Sequence, residues 1–270
     1  MTDKIINENT YETTFLKVML LFLFKDIILT SMKTPSHDFC KAISEAFLLE
    51  TLDEQNFHQH VSTLKSERSK VLNPISRMHL DRAHRLLDPL DFDHFRAYAV
   101  IPGALYAGEI PSSINDDELE RKIQTLYDLE VTHIVNLTEV NETNFKAIPL
   151  RQYAQFAENY YEEKGREVHC LRYPIRDLNV PTTTQMRSTI EALNNILEEG
   201  GCAYLHCWGG IGRTGTVLGC LLLQNEILDH TTAIPYISFL KRNTNIRHRI
   251  SPETIEQCDF VRNWDISSPG

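Results

Sequence analysis

CAYLHCWGGIGRTGTVLGCLLL, Cys202 to Leu223, sets one cysteine and one arginine six positions apart, with three glycines between them, and brackets the pair with two apolar runs. The first run ends near His206 and has the length of a buried strand. The second carries Val217, Leu218, Cys220, Leu221, Leu222 and Leu223, so it is apolar nearly all round, as a buried helix is. The loop from Cys207 to Arg213 therefore stands at the carboxyl end of a strand and the amino end of a central helix. Open α/β sheets bind their ligands at that place.

Gly209, Gly210 and Gly212 let successive backbone N–H groups turn inward and form an anion nest. The helix N-terminus adds partial positive charge. Arg213 adds a planar, bidentate fork. Trp208, Gly209, Gly210, Ile211, Gly212 and Arg213 together read as a cradle for a tetrahedral oxyanion, with the Cys207 sulfur at its centre. The same positive field favours thiolate over thiol, which makes Cys207 a nucleophile. Thr214 follows directly and is placed to donate its hydroxyl to that sulfur. The competing readings are a glycine-rich turn around an inert cysteine, or a loop that only binds phosphate. The strand–loop–helix context favours catalysis.

His206-Cys207-x5-Arg213-Thr214 resembles the signature loop of the cysteine-based protein tyrosine and dual-specificity phosphatases. The resemblance spans residues 95 to 265, specific in the loop and elsewhere by order of elements. It implies that Cys207 is the nucleophile, that Arg213 binds the phosphoryl group, and that the Thr214 hydroxyl assists hydrolysis of a phosphocysteine. It also implies an aspartate on a mobile loop ahead of the cysteine, acting as general acid. Asp177, thirty residues upstream of Cys207 in YPIRDLNVPT, fits that role; the competing reading is a surface Asp paired with Arg172 or Arg176.

Other positions carry weaker signals. His206 is read as organising the loop through a backbone hydrogen bond, or as simply buried. Gln257 either orients the attacking water or is a polar position on a C-terminal helix started by Ser251 and Pro252. Glu139 follows a strand at the catalytic end. Trp208 either lines the rim or packs against the domain. Cys170 and Cys202 read as core thiols, with oxidative pairing to Cys207 the alternative.

Outward from the loop, strand and helix signals alternate. YAVIPGALYAGEIP reads as two short strands, DDELERKIQTLYDLE as a helix, Val131 to Leu137 as a buried strand, and Tyr153 to Glu163 as a helix. EVHCLRYPI is a strand. TTTQMRSTIEALNNILEEGG is a helix opened by a Thr182–Gln185 capping box and closed by Gly200 and Gly201. The fold class is therefore α/β, a largely parallel central sheet flanked by helices, with an additional mainly helical N-terminal region. Two domains are expected: a helical extension of residues 1–90, and a phosphatase domain of residues 91–268.

The extension carries no chemical motif. Its apolar run, Val18 to Phe24, is too short to span a membrane and lacks signal-peptide flanks; Met32 is an alternative start. Formal net charge over the 270 residues is −10, which argues against nucleic acid or an anionic membrane as partner. Six cysteines without a C-x-x-C pair point to a reducing, cytoplasmic setting and to no zinc site. No metal and no organic cofactor is expected. The expected substrate is a phosphorylated protein or peptide, and the N-terminal region is a candidate for binding a partner. Arg213 is the only basic residue from Cys207 to Thr214, which favours a dual-specificity or tyrosine protein phosphatase over an inositol-polyphosphate phosphatase. The latter would need a basic pocket from Arg172, Arg176, Arg247 and Arg249. A phosphoprotein-binding module without turnover, and sulfur or arsenate chemistry at a similar loop, are the remaining alternatives.

Overall fold

Four-residue apolar runs and the turns that part them build the sheet of this chain. The structure is a computed structural model describing residues 95–143, 147–149, 151–241 and 244–266. The N-terminal helices, the run at Val18 to Phe24 and the domain boundary at 90–91 lie outside these residues. Five strands form one sheet: β1 (Ala97–Ile101), β2 (Leu105–Gly108), β3 (His133–Asn136), β4 (His169–Arg172) and β5 (Ala203–His206). Their order is β1-β2-β5-β3-β4, antiparallel only between β1 and β2. The largely parallel α/β sheet is as the sequence predicts. β3 is shorter than the expected Val131–Leu137.

Among the described residues six helices cover it: α1 (Asp116–Asp128), α2 (Ala154–Glu163), α3 (Thr183–Glu198), α4 (Gly212–Gln224), α5 (Ala233–Leu240) and α6 (Ile255–Arg262). The predicted capping box of α3, Thr182 with Gln185, is present. α6 starts later than expected. Its N-cap is Thr254, boxed with Gln257, and the Ser251 hydroxyl instead donates to the carbonyl of Ile211 at 2.7 Å.

Side chains alternate across a sheet. Tyr106, Ile134 and Tyr204, partners across β2, β3 and β5, face one cluster with Leu119, Ile123 and Leu126 of α1 and Tyr161 of α2. On α4, all residues from Gly212 to Leu223 are buried, and the helix packs against α3, α5 and α6. An apolar helix with no polar stripe has no solvent face to offer, so it becomes the centre.

In the parallel register Gly108, His206, Asn136 and Arg172 stand in one row. The segments after β2, β3, β4 and β5 therefore all open at the same edge. Among the described residues no helix is long and apolar enough to cross a membrane.

Candidate active site

The cysteine–arginine loop is seated on the segment after β2. Gly210 has φ +71°, and a Cβ there would overlap the backbone of Gly108 and stand 2.8 Å from the Glu109 nitrogen. Only glycine satisfies both demands. Three further bonds pin the loop's carbonyls: Ile110 N–H donates to Trp208 O (3.0 Å), Tyr98 Oη to Gly210 O (3.2 Å) and Ser251 Oγ to Ile211 O (2.7 Å). Burial, and secondarily the charge of Cys207, push the Tyr98 phenol well above its ordinary pKa, so it stays a donor. Tyr204 Oη donates to Glu109 O at 2.6 Å and fixes the seat itself. Local pattern marks YAGEIP only as strand and turn; nothing in it announces the loop's support.

His206 is fully buried. Its Nδ1 lies 2.8 Å from the carbonyl of Cys207 and its Nε2 2.5 Å from Tyr153 Oη. A carbonyl only accepts, so Nδ1 carries the proton and Nε2 accepts from the phenol. Burial lowers the imidazole pKa to about 3, against a smaller upward pull from the Cys207 carbonyl, and keeps the ring neutral. His206 thus ties the start of the loop to the core through that carbonyl, with Tyr153 as an unpredicted partner.

Cys207 is 3% exposed at the base of the loop. Among the described residues no acceptor takes the backbone N–H of Gly209, Gly210, Ile211, Gly212 or Arg213. Five consecutive backbone donors at the amino end of α4 thus have no acceptor among the described residues.

Arg213 is the largest fully buried side chain among the described residues. Its Nη1 binds Glu142 Oε2 (2.6 Å) and Ile175 O (3.0 Å); its Nη2 binds Glu142 Oε1 (2.7 Å) and Asp177 Oδ1 (2.9 Å). Burial alone would lower the guanidinium pKa. The Glu142 hydrogen bonds and the charges of Cys207, Glu142 and Asp177 outweigh it and raise it. Glu142 is the site residue that sequence pattern does not mark. NLTEVNE points instead to Glu139, directly after the strand, and Glu139 is exposed. Glu142 and Arg213 are 71 residues apart in the chain, so no spacing rule reports the pair.

Asp177 lies beside Arg213 and is not paired with Arg172 or Arg176. It sits in a turn closed by Asn179 N–H to Arg176 O (3.1 Å), with Leu178 at φ +60°. Its side chain is 51% exposed.

One expectation is revised, and two open alternatives are narrowed. Thr214 Oγ1 is buried and has no hydrogen-bond partner in this structure, so the expected bond to the Cys207 sulfur is not made. Trp208 is half-buried and packs against the cluster under α1 and α2, not free at a rim. The Gln257 amide is occupied: Oε1 accepts from Glu253 N (3.1 Å) and Thr254 N (3.2 Å), and Nε2 donates to Asn179 O (3.0 Å). Both acceptor lone pairs and one of the two amide hydrogens are taken.

Two of the four arginines proposed for a basic pocket are engaged. Arg172 donates to Thr138 and Gln152, and Arg249 pairs with Glu253. Cys202 precedes β5 and Cys207 follows it, about 16 Å apart at ~3.3 Å per residue, too far for a disulfide. The Cys170 thiol is pushed up to about 12 by burial and by Glu158. Among the described residues no cysteine is joined in a disulfide, and no group of three or more His, Cys, Asp and Glu could hold a metal.

The arrangement brings the Cys207 loop, the buried Arg213 guanidinium and the Glu142 and Asp177 carboxylates together at one edge of the sheet. Residues 96–258, more than half of the chain, match the family model described as "Swiss Army Knife protein, DSP-PTPase phosphatase domain". Solved structures of similar form include Tk-PTP in its active form (20% identity, 64% of this chain and 98% of that one, TM-score 0.45). TpbA of P. aeruginosa (17% identity, 64% and 86%, TM-score 0.45) is another. The core catalytic domain of the PP-IP phosphatase SIW14 from S. cerevisiae (17% identity, 60% and 82%, TM-score 0.42) is a third. By its matched length and by the signature loop within it, this chain belongs to the cysteine-based dual-specificity and tyrosine phosphatase family, as a member of the Swiss Army Knife DSP-PTPase group.

Proposed function

We propose that the domain hydrolyses phosphate monoesters through a phosphocysteine intermediate, as a dual-specificity or tyrosine protein phosphatase. One observation carries the reading. Glu142 clamps the buried Arg213 in a bidentate grip, and the same guanidinium holds Asp177 at 2.9 Å. The group proposed to bind phosphate and the group proposed to deliver the proton thus meet at one guanidinium.

The steps follow from the positions. The substrate phosphoryl enters the cradle, its oxygens taking the free N–H groups and displacing Asp177 from Arg213. The Cys207 thiolate attacks phosphorus, the P–O ester bond breaks, and protonated Asp177 gives its proton to the leaving oxygen. Asp177, now a carboxylate, takes a proton from water. That water attacks the phosphocysteine, releasing inorganic phosphate and restoring the thiolate. The Thr214 hydroxyl, which has no partner in the resting site, is proposed to donate to the departing sulfur.

The substrate is proposed to be a phosphorylated protein or peptide. An inositol polyphosphate would want several free cations around the mouth, and Arg172 and Arg249 are already engaged. A pure binding module has no use for nucleophile, arginine and acid together.

The test is a hydrolysis panel of p-nitrophenyl phosphate, phosphotyrosine and phosphoserine peptides, and inositol phosphates. Phosphopeptides are expected to turn over and inositol phosphates not. Cys207→Ser is expected to abolish turnover while still binding phosphate. Asp177→Asn is expected to lower kcat by roughly 10²–10⁴. Turnover that survives Cys207→Ser would end the phosphocysteine reading.

A further inference from the structure

We infer that Gln257 is the positioning residue of the acid loop: it holds Asp177 over the site once substrate has taken Arg213. The inference rests on the reading of Asp177 as general acid.

The acid turn does not hold itself. Leu178 has φ +60°, a conformation unfavourable for any residue with a side chain, and it is 55% exposed, so its packing repays little of that strain. Asn179 Nδ2 donates to Asp177 O (3.0 Å) within the turn. Among the described residues two side chains from elsewhere reach this turn. Arg213 binds Asp177 Oδ1 and, one residue ahead of the turn, Ile175 O. Gln257 Nε2 donates to Asn179 O.

The first of these contacts is given up in the reaction, because the phosphoryl group needs the edge of the guanidinium that Asp177 occupies. Arg213 Nη1 still binds Ile175 O ahead of the turn, and within the turn itself Gln257 is, among the described residues, the side chain from elsewhere that remains bonded. It is suited to bear the load: it is fully buried, and its Oε1 is fixed by two backbone N–H groups at the start of α6. It also fills the space beside the first residue of α4, where a Cβ on Gly212 would stand 2.8 Å from Oε1 and 3.2 Å from Nε2. The amide is therefore wedged between the helix that carries the anion cradle and the turn that carries the acid. It ties the height of one to the height of the other.

Gln257→Glu separates this role from the capping one, since a carboxylate at N3 still closes a capping box but has no N–H for Asn179 O. The measurement is kcat of the full-length protein on p-nitrophenyl phosphate and on phenyl phosphate, for wild type, Gln257→Glu, Asp177→Asn and the double variant. p-Nitrophenolate leaves with little help; phenolate needs the proton. With the acid misplaced, kcat on phenyl phosphate is expected to fall about tenfold or more, and by clearly less on p-nitrophenyl phosphate. The double variant is expected to be no worse than Asp177→Asn alone, because a tether has nothing to position once the acid is gone.

Equal loss on both substrates, with a burst of p-nitrophenol before the steady state, would show that Gln257 serves the attacking water and overturn the inference. Additive losses, or no loss, would overturn it equally. If Asp177→Asn behaves as a lost acid while Gln257→Glu does not, the tether alone fails. If Asp177→Asn is without effect, the acid reading fails and the tether with it. Should Gln257→Glu not fold, Gln257→Met, which keeps volume without the donor, is read on the same four-way comparison.

Discussion

Arg213 shows how one residue comes to be fixed in advance. A flexible, always-charged side chain is a poor catalyst if it must be ordered for each substrate. Here Glu142 spans both terminal nitrogens and excludes water from them. Breaking a buried pair from one side costs several kcal/mol, because the other charge stays behind uncompensated. Glu142→Gln is expected to lower unfolding free energy by about 3 kcal/mol, measured by urea denaturation, and to lower kcat/KM for p-nitrophenyl phosphate by at least roughly tenfold. A variant with wild-type kcat/KM would show that Arg213 needs no such anchor. Cys207 and Arg213 are legible in the sequence because the proposed chemistry demands particular residue types at a particular spacing, and Asp177 through the family resemblance that this loop carries. Glu142 is not: its role lies in a contact across 71 residues, and of the two glutamates in NLTEVNE local pattern points to the other, Glu139, which directly follows the strand.

At the scale of elements, the signature loop works because neighbouring segments grip its carbonyls and leave its amides. Gly210 is the tightest point, pressed backbone to backbone on Gly108 with φ +71°. Gly210→Ala adds a strained conformation of about 1–2 kcal/mol and an overlap with main chain that no side-chain rotation relieves. The expected result is a kcat/KM on p-nitrophenyl phosphate lowered at least tenfold, with phosphate protection of the folded state lost in thermal denaturation. Retention of both would show that the seat is not what shapes the loop. Helix boundaries follow from composition where a capping box marks them, as at Thr182 and Gln185. The start of α6 does not. Ser251 and Pro252 look like a helix start, yet the Ser251 hydroxyl is spent on Ile211, and Thr254 takes the cap. A side chain with two possible partners goes to the one that tertiary packing brings near.

Over the whole molecule, His206 links the site to stability. A histidine in the unfolded chain titrates near its ordinary value of 6.5; in the fold burial lowers His206 to about 3 and keeps it neutral. Between those values the unfolded chain binds a proton that the native state refuses. Stability therefore falls as pH drops from about 6.5 toward about 3, by up to ~1.4 kcal/mol per pH unit. At pH 5 wild type is expected to lose about 2 kcal/mol relative to pH 7 through this group, and His206→Gln to show that much less loss in paired urea titrations. Equal losses in both would assign the acid sensitivity elsewhere. The sequence by itself determined the α/β sheet, the strand–loop–helix at Cys207, and the candidate nucleophile and arginine, each written in local pattern: period, apolar runs, glycine spacing, residue type. The candidate acid, Asp177, followed only from the family resemblance. Only the tertiary structure decided that Glu142 clamps Arg213, that Gly108 to Ile110 seats the loop, that Tyr153 holds His206, and that Gln257 reaches Asn179. Those pairings join segments distant in the chain, and their partners are set by which strand edges and helix ends the packed core brings together.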